Sequence, residues 1–244
     1  MKRDVQEINP ARAWDFFERI YCISLEGRSD RRRQAREQFV QVGLLERVEF
    51  VLVREHPSDR AQGIFDSHQI CLARGLAAGA GNMLIFEDDV FFRGFDPVRL
   101  QKACRSLARQ PAWDAFFLGC ITDGISRIDA PSLVRIRYRC LSHGYAVSDD
   151  FARRLVAEAW QGIPLDTLIR QRATSCYALS PMCAFQGLAG SDNQTVVIDR
   201  LRRICGGLPF IQRVSEFYQK HKLYILASHA AGLAVLVFLL ARSR

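Results

Sequence analysis

The sequence has no C-x-x-C pair and no dense cysteine framework; its eight cysteines stand singly, several inside apolar runs such as "IYCISL" and "FFLGC". That pattern excludes a zinc ribbon or a disulfide scaffold and is the pattern of buried thiols in a reducing compartment. The opening "MKRDVQEINPARAWDFF" lacks the apolar core of a signal peptide, so the bulk of the chain is expected to stay in the cytoplasm. No internal repeat is found, which excludes a repeat architecture. The formal net charge is +8, yet the basic residues are dispersed and not interleaved with aromatics on one face, which argues against nucleic acid as a partner. The positive balance then leaves an anionic membrane surface or a phosphorylated substrate, of which the sequence favours the membrane.

What is present is enough for a folded enzyme-sized domain. The 244 residues are 49% hydrophobic, room for one substantial α/β domain and a small appendage. Strand-like and helix-like segments alternate. Arg19 to Leu25 reads as a buried strand, Ser29 to Gly43 as an amphipathic helix with Ser29 as its N-cap, and Val48 to Val53 as a second strand. A helix over "DSHQICLARGLAAG" and a third strand, "NMLIFE", complete βαβαβ, the opening of a doubly wound sheet. Asp96 to Arg109 predicts a helix, Asp114 to Cys120 a strand, Leu133 to Cys140 a half-exposed strand, and "GYAVS" a shorter strand before a helix capped by Ser148.

The stretch "NMLIFEDDVFF", Asn82 to Phe92, runs an apolar strand into Glu87, Asp88 and Asp89. Three adjacent carboxylates repel one another, and a solvated turn is one way to hold them. At the C-terminal end of a buried parallel strand they would instead lie where open α/β sheets bind ligands. Residues two apart on an extended chain point to one side, so Glu87 and Asp89 converge while Asp88 faces away. A divalent cation between the two would turn repulsion into coordination, and oxygen ligands of this kind suit Mn²⁺ or Mg²⁺ holding a diphosphate.

Further segments fall in a recognisable order: "YCISLEGRSDRR", "GIFDSHQICLARGLAAGAGNMLIFEDDVFF", "WDAFFLGC", and "HGYAVSDDFARRL" with "PLDTLI" and "YALSPMCAFQ" behind it. Together, over roughly Arg19 to Asp192, they resemble glycosyltransferase family 25, the lipopolysaccharide-core and collagen galactosyltransferase group. The most specific part is Ser67–His68, about nineteen residues ahead of the acidic triplet. The sequence departs from the family pattern at "GIFDSH", where a glycine-cysteine pair commonly precedes the serine-histidine. The resemblance implies a glycosyltransferase A-type, Rossmann-like α/β fold with a mostly parallel sheet and flanking helices, a UDP-sugar donor, and commonly Mn²⁺ (or Mg²⁺). It places Glu26, Arg28, Ser67, His68, Asp88, Gln186 and Asp192 around the donor and Glu87 and Asp89 on the metal.

Residue by residue, other roles stay open. Arg28 would meet an anion at the N-terminus of the helix that follows the first strand and is the stronger candidate, whereas at least two of Arg31 to Arg33 read as a solvated helix face. His68 can line the donor or acceptor pocket or pack against a helix cap. His143 can be a third metal ligand, a pocket wall or a strand-edge histidine. Asp166, in "GIPLDTLI", can be the base that deprotonates an acceptor hydroxyl or the N-cap of a short helix, Thr167 to Arg172. Asp149 and Asp150 serve only the helix dipole. Gln186, Ser191 and Asp192 match the family's closing segment, which could cover the donor and exclude water.

The tail differs in kind. Leu223 to Ala241 carries no formal charge and as a helix would measure about 28 Å, against a hydrocarbon thickness of roughly 30 Å. The expected organisation is thus a catalytic domain over 1–198, a basic juxtamembrane segment over 199–222 that contacts anionic lipids, and a transmembrane helix over 223–241. The catalytic domain would face the cytoplasm, as at a bacterial inner membrane. Two functions are carried forward. One is a membrane-tethered, inverting enzyme that moves a hexose such as galactose from UDP to a saccharide acceptor of a cell-surface glycolipid such as lipopolysaccharide. The other is a non-catalytic, membrane-anchored sugar- or nucleotide-binding protein that kept the fold.

Overall fold

The computed structural model describes residues 9–130, 132–187 and 207–242. After a short 3₁₀ turn, Pro10–Trp14, the chain runs β1 (Arg19–Leu25), α1 (Ser29–Gln41), β2 (Glu49–Val53), α2 (Arg60–Ala77) and β3 (Asn82–Glu87). Then follow β4 (Val90–Phe92), α3 (Pro97–Leu107), β5 (Ala115–Phe117), β6 (Ile121–Arg127), β7 (Leu133–Cys140) and β8 (Gly144–Ser148). The described elements close with α4 (Asp149–Val156), α5 (Leu165–Arg172), β9 (Cys176–Leu179), β10 (Ala184–Gln186) and α6 (Gly207–Arg242).

Eight strands form one sheet in the order β2-β1-β3-β8-β5-β9-β7-β6, and β4 pairs with β10 in a small separate ribbon. The fold is α/β, but the sheet is mixed rather than mostly parallel. β1 runs parallel to both β2 and β3, as the two crossover helices require. Beyond β3 the pairing turns antiparallel at β8, and β5–β9 is the next parallel pair. The connector 141–143 carries the chain from β7 to β8, which lies beyond β9 and β5 in the sheet.

Local chemistry accounts for most helix starts. Asp59 accepts from the Ala61 and Gln62 N–H groups and begins α2, earlier than the "DSHQ" reading. Asp96 accepts from Val98 and Arg99 ahead of Pro97, and Ser148 caps α4 through the Phe151 N–H. The helix α1 is capped in position by Arg28 rather than by Ser29, and ends at Gln41. Core lies on both faces of the sheet. Phe65, Leu72, Ile85, Tyr145 and Phe151 pack on one face, and Trp14, Phe39, Phe86 and Phe116 on the other. β3 is buried on both faces up to its last residue, so the chain reaches Glu87 with its backbone position fixed.

The tail corrects an expectation. Among the described residues no helix is long and apolar enough to cross a membrane. The expected transmembrane helix over 223–241 is therefore overturned, together with the membrane-anchored, cytoplasm-facing localisation built on it. The apolar stretch is not an element of its own. It continues α6, whose first half is committed to the sheet: Gln212 donates to the Ala184 carbonyl at 2.9 Å, and Glu216 accepts from the Met182 N–H at 3.1 Å. Within the stretch, Ser228 and His229 place polar groups at 2.9 and 2.7 Å from the Ile225 carbonyl.

Candidate functional site

The carboxyl ends of β1, β2 and β3 and the connector 141–143 surround a cleft of about 440 Å³. Its floor is the acidic triplet, joined by Ser24, Arg31, Ser67, His68, His143, Asp166 and Gln186 at the walls. Glu87 ends β3, and Asp88 and Asp89 lie in the turn that follows it rather than on an extended strand. Asp88 turns back under β1, accepting from the Ser24 hydroxyl at 2.6 Å and lying 3.7 Å from the Arg31 guanidinium. Burial raises its pKa, and Ser24 and Arg31 oppose that rise.

Glu87 and Asp89 act on each other through their charges and are driven in opposite directions. Burial works against the charge of Glu87, but the His68 ring, 3.6 Å away, together with His143 and Arg31, holds its carboxyl below the usual range. His68 is buried, and its Nδ1 lies 2.9 Å from the Tyr145 hydroxyl. If Tyr145 donates there, the ring's N–H sits on Nε2 and faces Glu87. Asp89 is pushed up to about 7 by burial first and by the Glu87 charge second. Its Oδ2 accepts from the Gln186 amide at 3.1 Å, while its Oδ1 is buried with no hydrogen-bond partner. An orphaned carboxylate oxygen beside a second carboxylate is a position short of positive charge.

His143 is buried at 1% exposure, neither ring nitrogen in a hydrogen bond of normal geometry. Burial lowers its pKa, partly offset by the Ala184 carbonyl and by the Glu87 and Asp166 charges. It stands beside the triplet because β8 enters the sheet against β3, with the Glu87 N–H donating to the His143 carbonyl at 3.2 Å. Among the described residues, however, no three His, Cys, Asp or Glu side chains are grouped to hold one ion. His143 is a cleft wall, and a cation here would rest on Glu87 and Asp89. Two carboxylates plus substrate phosphates and water is an ordinary arrangement for Mg²⁺ or Mn²⁺, so the residues fit such an ion.

Asp166 reaches the cleft from the first turn of α5 and does not cap it. Its Oδ1 accepts from the Tyr138 hydroxyl at 2.5 Å and its Oδ2 from the Leu141 N–H at 3.0 Å. The second bond pins Leu141 at φ 77°, a left-handed conformation uncommon for leucine, and so shapes the connector. Ser67 spends its hydroxyl on the Gly63 carbonyl at 2.5 Å within α2.

Two of the residues expected around the donor make ion pairs of their own, and the Arg28 charge also acts on Asp88. Arg28 pairs with Asp30 at 3.0 Å, and exposed Glu26 pairs with Arg54 at 3.2 Å; neither is among the residues that line the cleft. The arginine paired with the acidic triplet is Arg31, 3.7 Å from Asp88, one of the three that the sequence left undivided between solvent and site. Arg32 is also engaged, donating to the Leu25 and Glu26 carbonyls at 2.5 and 3.0 Å. Ser24, Tyr138 and Tyr145 were missed as well. Their signal in the sequence is weak, since Ser24 and Tyr145 sit within largely apolar strands and Tyr138 alternates with arginines like an ordinary core residue. Asp192, with Ser191, lies outside the described residues.

No protein-family model matches the chain, and no curated relative matches it. Among solved structures it is similar to A197 from STIV, at 14% identity over 69% of this chain and 85% of that one, with a TM-score of 0.46. It is similar to mannose-1-phosphate geranyltransferase from Thermus thermophilus at 13% identity over 66% and 73% of the two chains, TM-score 0.42. A glycosyltransferase involved in the glycosylation of the major capsid of PBCV-1 is similar at 12% identity over 56% and 63%, TM-score 0.35. At such scores the likeness assigns neither activity nor substrate.

Proposed function

We propose that the chain is a glycosyltransferase that moves a hexose from a UDP-sugar to a saccharide hydroxyl, with residues 1–198 as its catalytic unit. The observation that carries this reading is the opposed pair Glu87 and Asp89 at the carboxyl edge of β3, with the Asp89 Oδ1 buried and unpartnered. The likeness of the surrounding segments to glycosyltransferase family 25 supplies the substrate class. In this reading Glu87 and Asp89 hold Mn²⁺ or Mg²⁺, which when bound supplies charge stabilisation for the departing diphosphate. Asp88 and Ser24 keep Arg31 aimed into the cleft at the N-terminus of α1, a setting that favours phosphate. Gln186 steers Asp89, and the Tyr145–His68 pair keeps Glu87 ionised.

The reaction is a single displacement. The acceptor hydroxyl attacks the anomeric carbon from the face opposite the diphosphate, the bond from that carbon to the diphosphate oxygen breaks, and UDP leaves with inversion. Asp166 is the carboxylate placed to take the hydroxyl proton, because each of its oxygens keeps a lone pair after accepting from Tyr138 and Leu141.

Thermal unfolding with UDP, with Mn²⁺ and with both is the test. UDP at a hundred times its dissociation constant adds about 2.7 kcal/mol of stability. The added stability should require the metal and should vanish in Glu87→Gln and Asp89→Asn. A parent protein that UDP does not stabilise at any metal concentration overturns the reading.

A further inference from the structure

The β6–β7 hairpin carries a row of arginines that the cleft leaves unused. Arg135, Arg137 and Arg139 alternate along β7 with Val134, Ile136 and Tyr138; the arginines are exposed and the alternating partners buried. Side chains two apart on a strand project to one side, about 6.8 Å from each other. On β6 the opposing residues are Ser126 and Gly124, too small to cover a guanidinium.

The row is short of negative charge. Arg139 lies 3.4 Å from the Asp123 carboxylate, Arg137 donates to the Asp123 carbonyl at 2.8 Å, and Arg135 donates to the Thr174 carbonyl at 3.4 Å. Three guanidiniums thus have one carboxylate among these partners, although each carries five N–H donors. Other exposed arginines vary: Arg74, Arg153 and Arg172 pair with Glu49, Asp149 and Glu158, whereas Arg36 lies over the Phe50 ring and Arg105 donates to Gln101. Of the three, Arg137 alone also lines a second groove of about 340 Å³, together with Asp123, Ile136, Tyr138, Arg170 and Thr174 among others. The row also has a direction: β7 ends at Cys140, and Cys140 to His143 line the catalytic cleft.

We infer that Arg135, Arg137 and Arg139 form a track for an acidic saccharide, one bearing carboxylate or phosphate groups, whose acceptor end enters the cleft past Cys140. The inference rests on the transferase reading of the cleft and adds the class of acceptor. Planar guanidinium forks match both kinds of oxyanion. A nucleic acid is disfavoured because single strands are held by base stacking on aromatics, and the aromatic residue of this stretch, Tyr138, is buried on the opposite side, stacked on Phe117 at 4.3 Å.

Binding of tetragalacturonate and of a phosphorylated mannan oligosaccharide is compared with that of their neutral parents, and with a single-stranded DNA of equal charge. The full chain should prefer at least one acidic form over its parent by about tenfold, the scale of a few exposed ion pairs, and the preference should fall as salt rises. Which arm shows it separates carboxylate from phosphate. The triple variant Arg135→Gln, Arg137→Gln, Arg139→Gln should lose the preference while UDP still stabilises it, and the matching triple lysine variant should keep part of it. Equal binding of acidic and neutral forms, an unchanged preference in the glutamine variant, or tighter binding of the DNA overturns the inference. Absence of UDP binding in the parent with the glycan preference intact overturns the cleft reading instead.

Discussion

Gln186 on β10 donates a 3.1 Å hydrogen bond to one oxygen of Asp89 while the other oxygen of the same carboxylate has no partner. The satisfied oxygen is held by the small β4–β10 ribbon, in which Gln186 pairs with Val90 next to the triplet. The chain immediately after the triplet and a segment nearly a hundred residues later are thereby tied to the same acidic residue. The ribbon fixes the direction of Asp89 but does not neutralise it. That leaves a carboxylate oriented at some cost to the fold, which is what a site reserved for a cation requires.

The first prediction measures that cost. Asp89 titrates at about 7 in the folded chain and near 3.9 when unfolded. Below about pH 4 it is protonated in both states and contributes nothing. Between about 4 and 7 the unfolded chain gives up its proton while the folded chain retains it, so this residue lowers stability as pH rises. Asp89→Asn should therefore gain on the parent progressively across that window and level off above it. The gain should be at most a few kcal/mol, because each tenfold change in proton affinity is worth about 1.4 kcal/mol and water in the cleft screens part of it. Urea unfolding of both proteins from pH 4 to 8 checks this; a difference independent of pH would mean Asp89 is not strained.

Gly119 makes a second, purely steric prediction. A Cβ there would lie 1.8 Å from the Ala184 carbonyl oxygen, a backbone atom that cannot rotate away. Gly119→Ala should cost about 2–4 kcal/mol. Gly27→Ala, with nothing within 4 Å of the added carbon, should stay within about 0.5 kcal/mol. Because Ala184 opens β10, the Gly119 variant should also weaken UDP binding through Gln186, a loss that Gly27→Ala does not share. Denaturant midpoints and UDP titrations of the two variants decide it.

How much of this was legible beforehand depends on range. The β1–α1–β2–α2–β3 unit could be read because each element carries its own periodicity, and the acidic triplet could be placed because it follows one such strand directly. β6, β9 and β10 went unread: Ile121–Arg127 contains Asp123 and Gly124 and is a strand by its hairpin pairing with β7, while β9 and the three-residue β10 are made strands by pairing with more distant segments, not by local pattern. Which of Arg31 to Arg33 turns inward could not be read for the same reason. The three look identical in sequence, and only the packing of α1 against β1 selects the one that meets Asp88. The tail misled through composition, since an uncharged stretch says nothing of the polar, docked helix that it extends.

Asp166 supplies a third prediction. Asp166→Asn should lower kcat by about 10² to 10⁴-fold with donor KM nearly unchanged, since the amide can still accept one of the two bonds from Tyr138 and Leu141. Tyr138→Phe frees the Asp166 Oδ1 and leaves the base in place, so it should cost much less. If both variants instead weaken UDP binding and stability alike, Asp166 acts by holding the Leu141 turn, and the base lies elsewhere. Steady-state kinetics with thermal unfolding of each variant separates the two roles.

The last prediction concerns Arg31 and Asp88, which could be a structural ion pair or part of a phosphate site. Arg31→Met removes the cation 3.7 Å from a buried carboxylate, and an uncompensated buried charge typically costs about 3–5 kcal/mol. Ser24 still donates at 2.6 Å and should hold the loss toward the low end. The double variant Arg31→Met, Asp88→Asn removes the charge as well as its partner, so most of the stability should return. UDP binding should not return with it, because the guanidinium that would face the diphosphate is still missing. Denaturation and UDP titration on the two variants and the parent separate the possibilities. Recovery of both stability and UDP affinity in the double variant would assign the pair to the fold alone, and recovery of stability without affinity would assign Arg31 to the ligand.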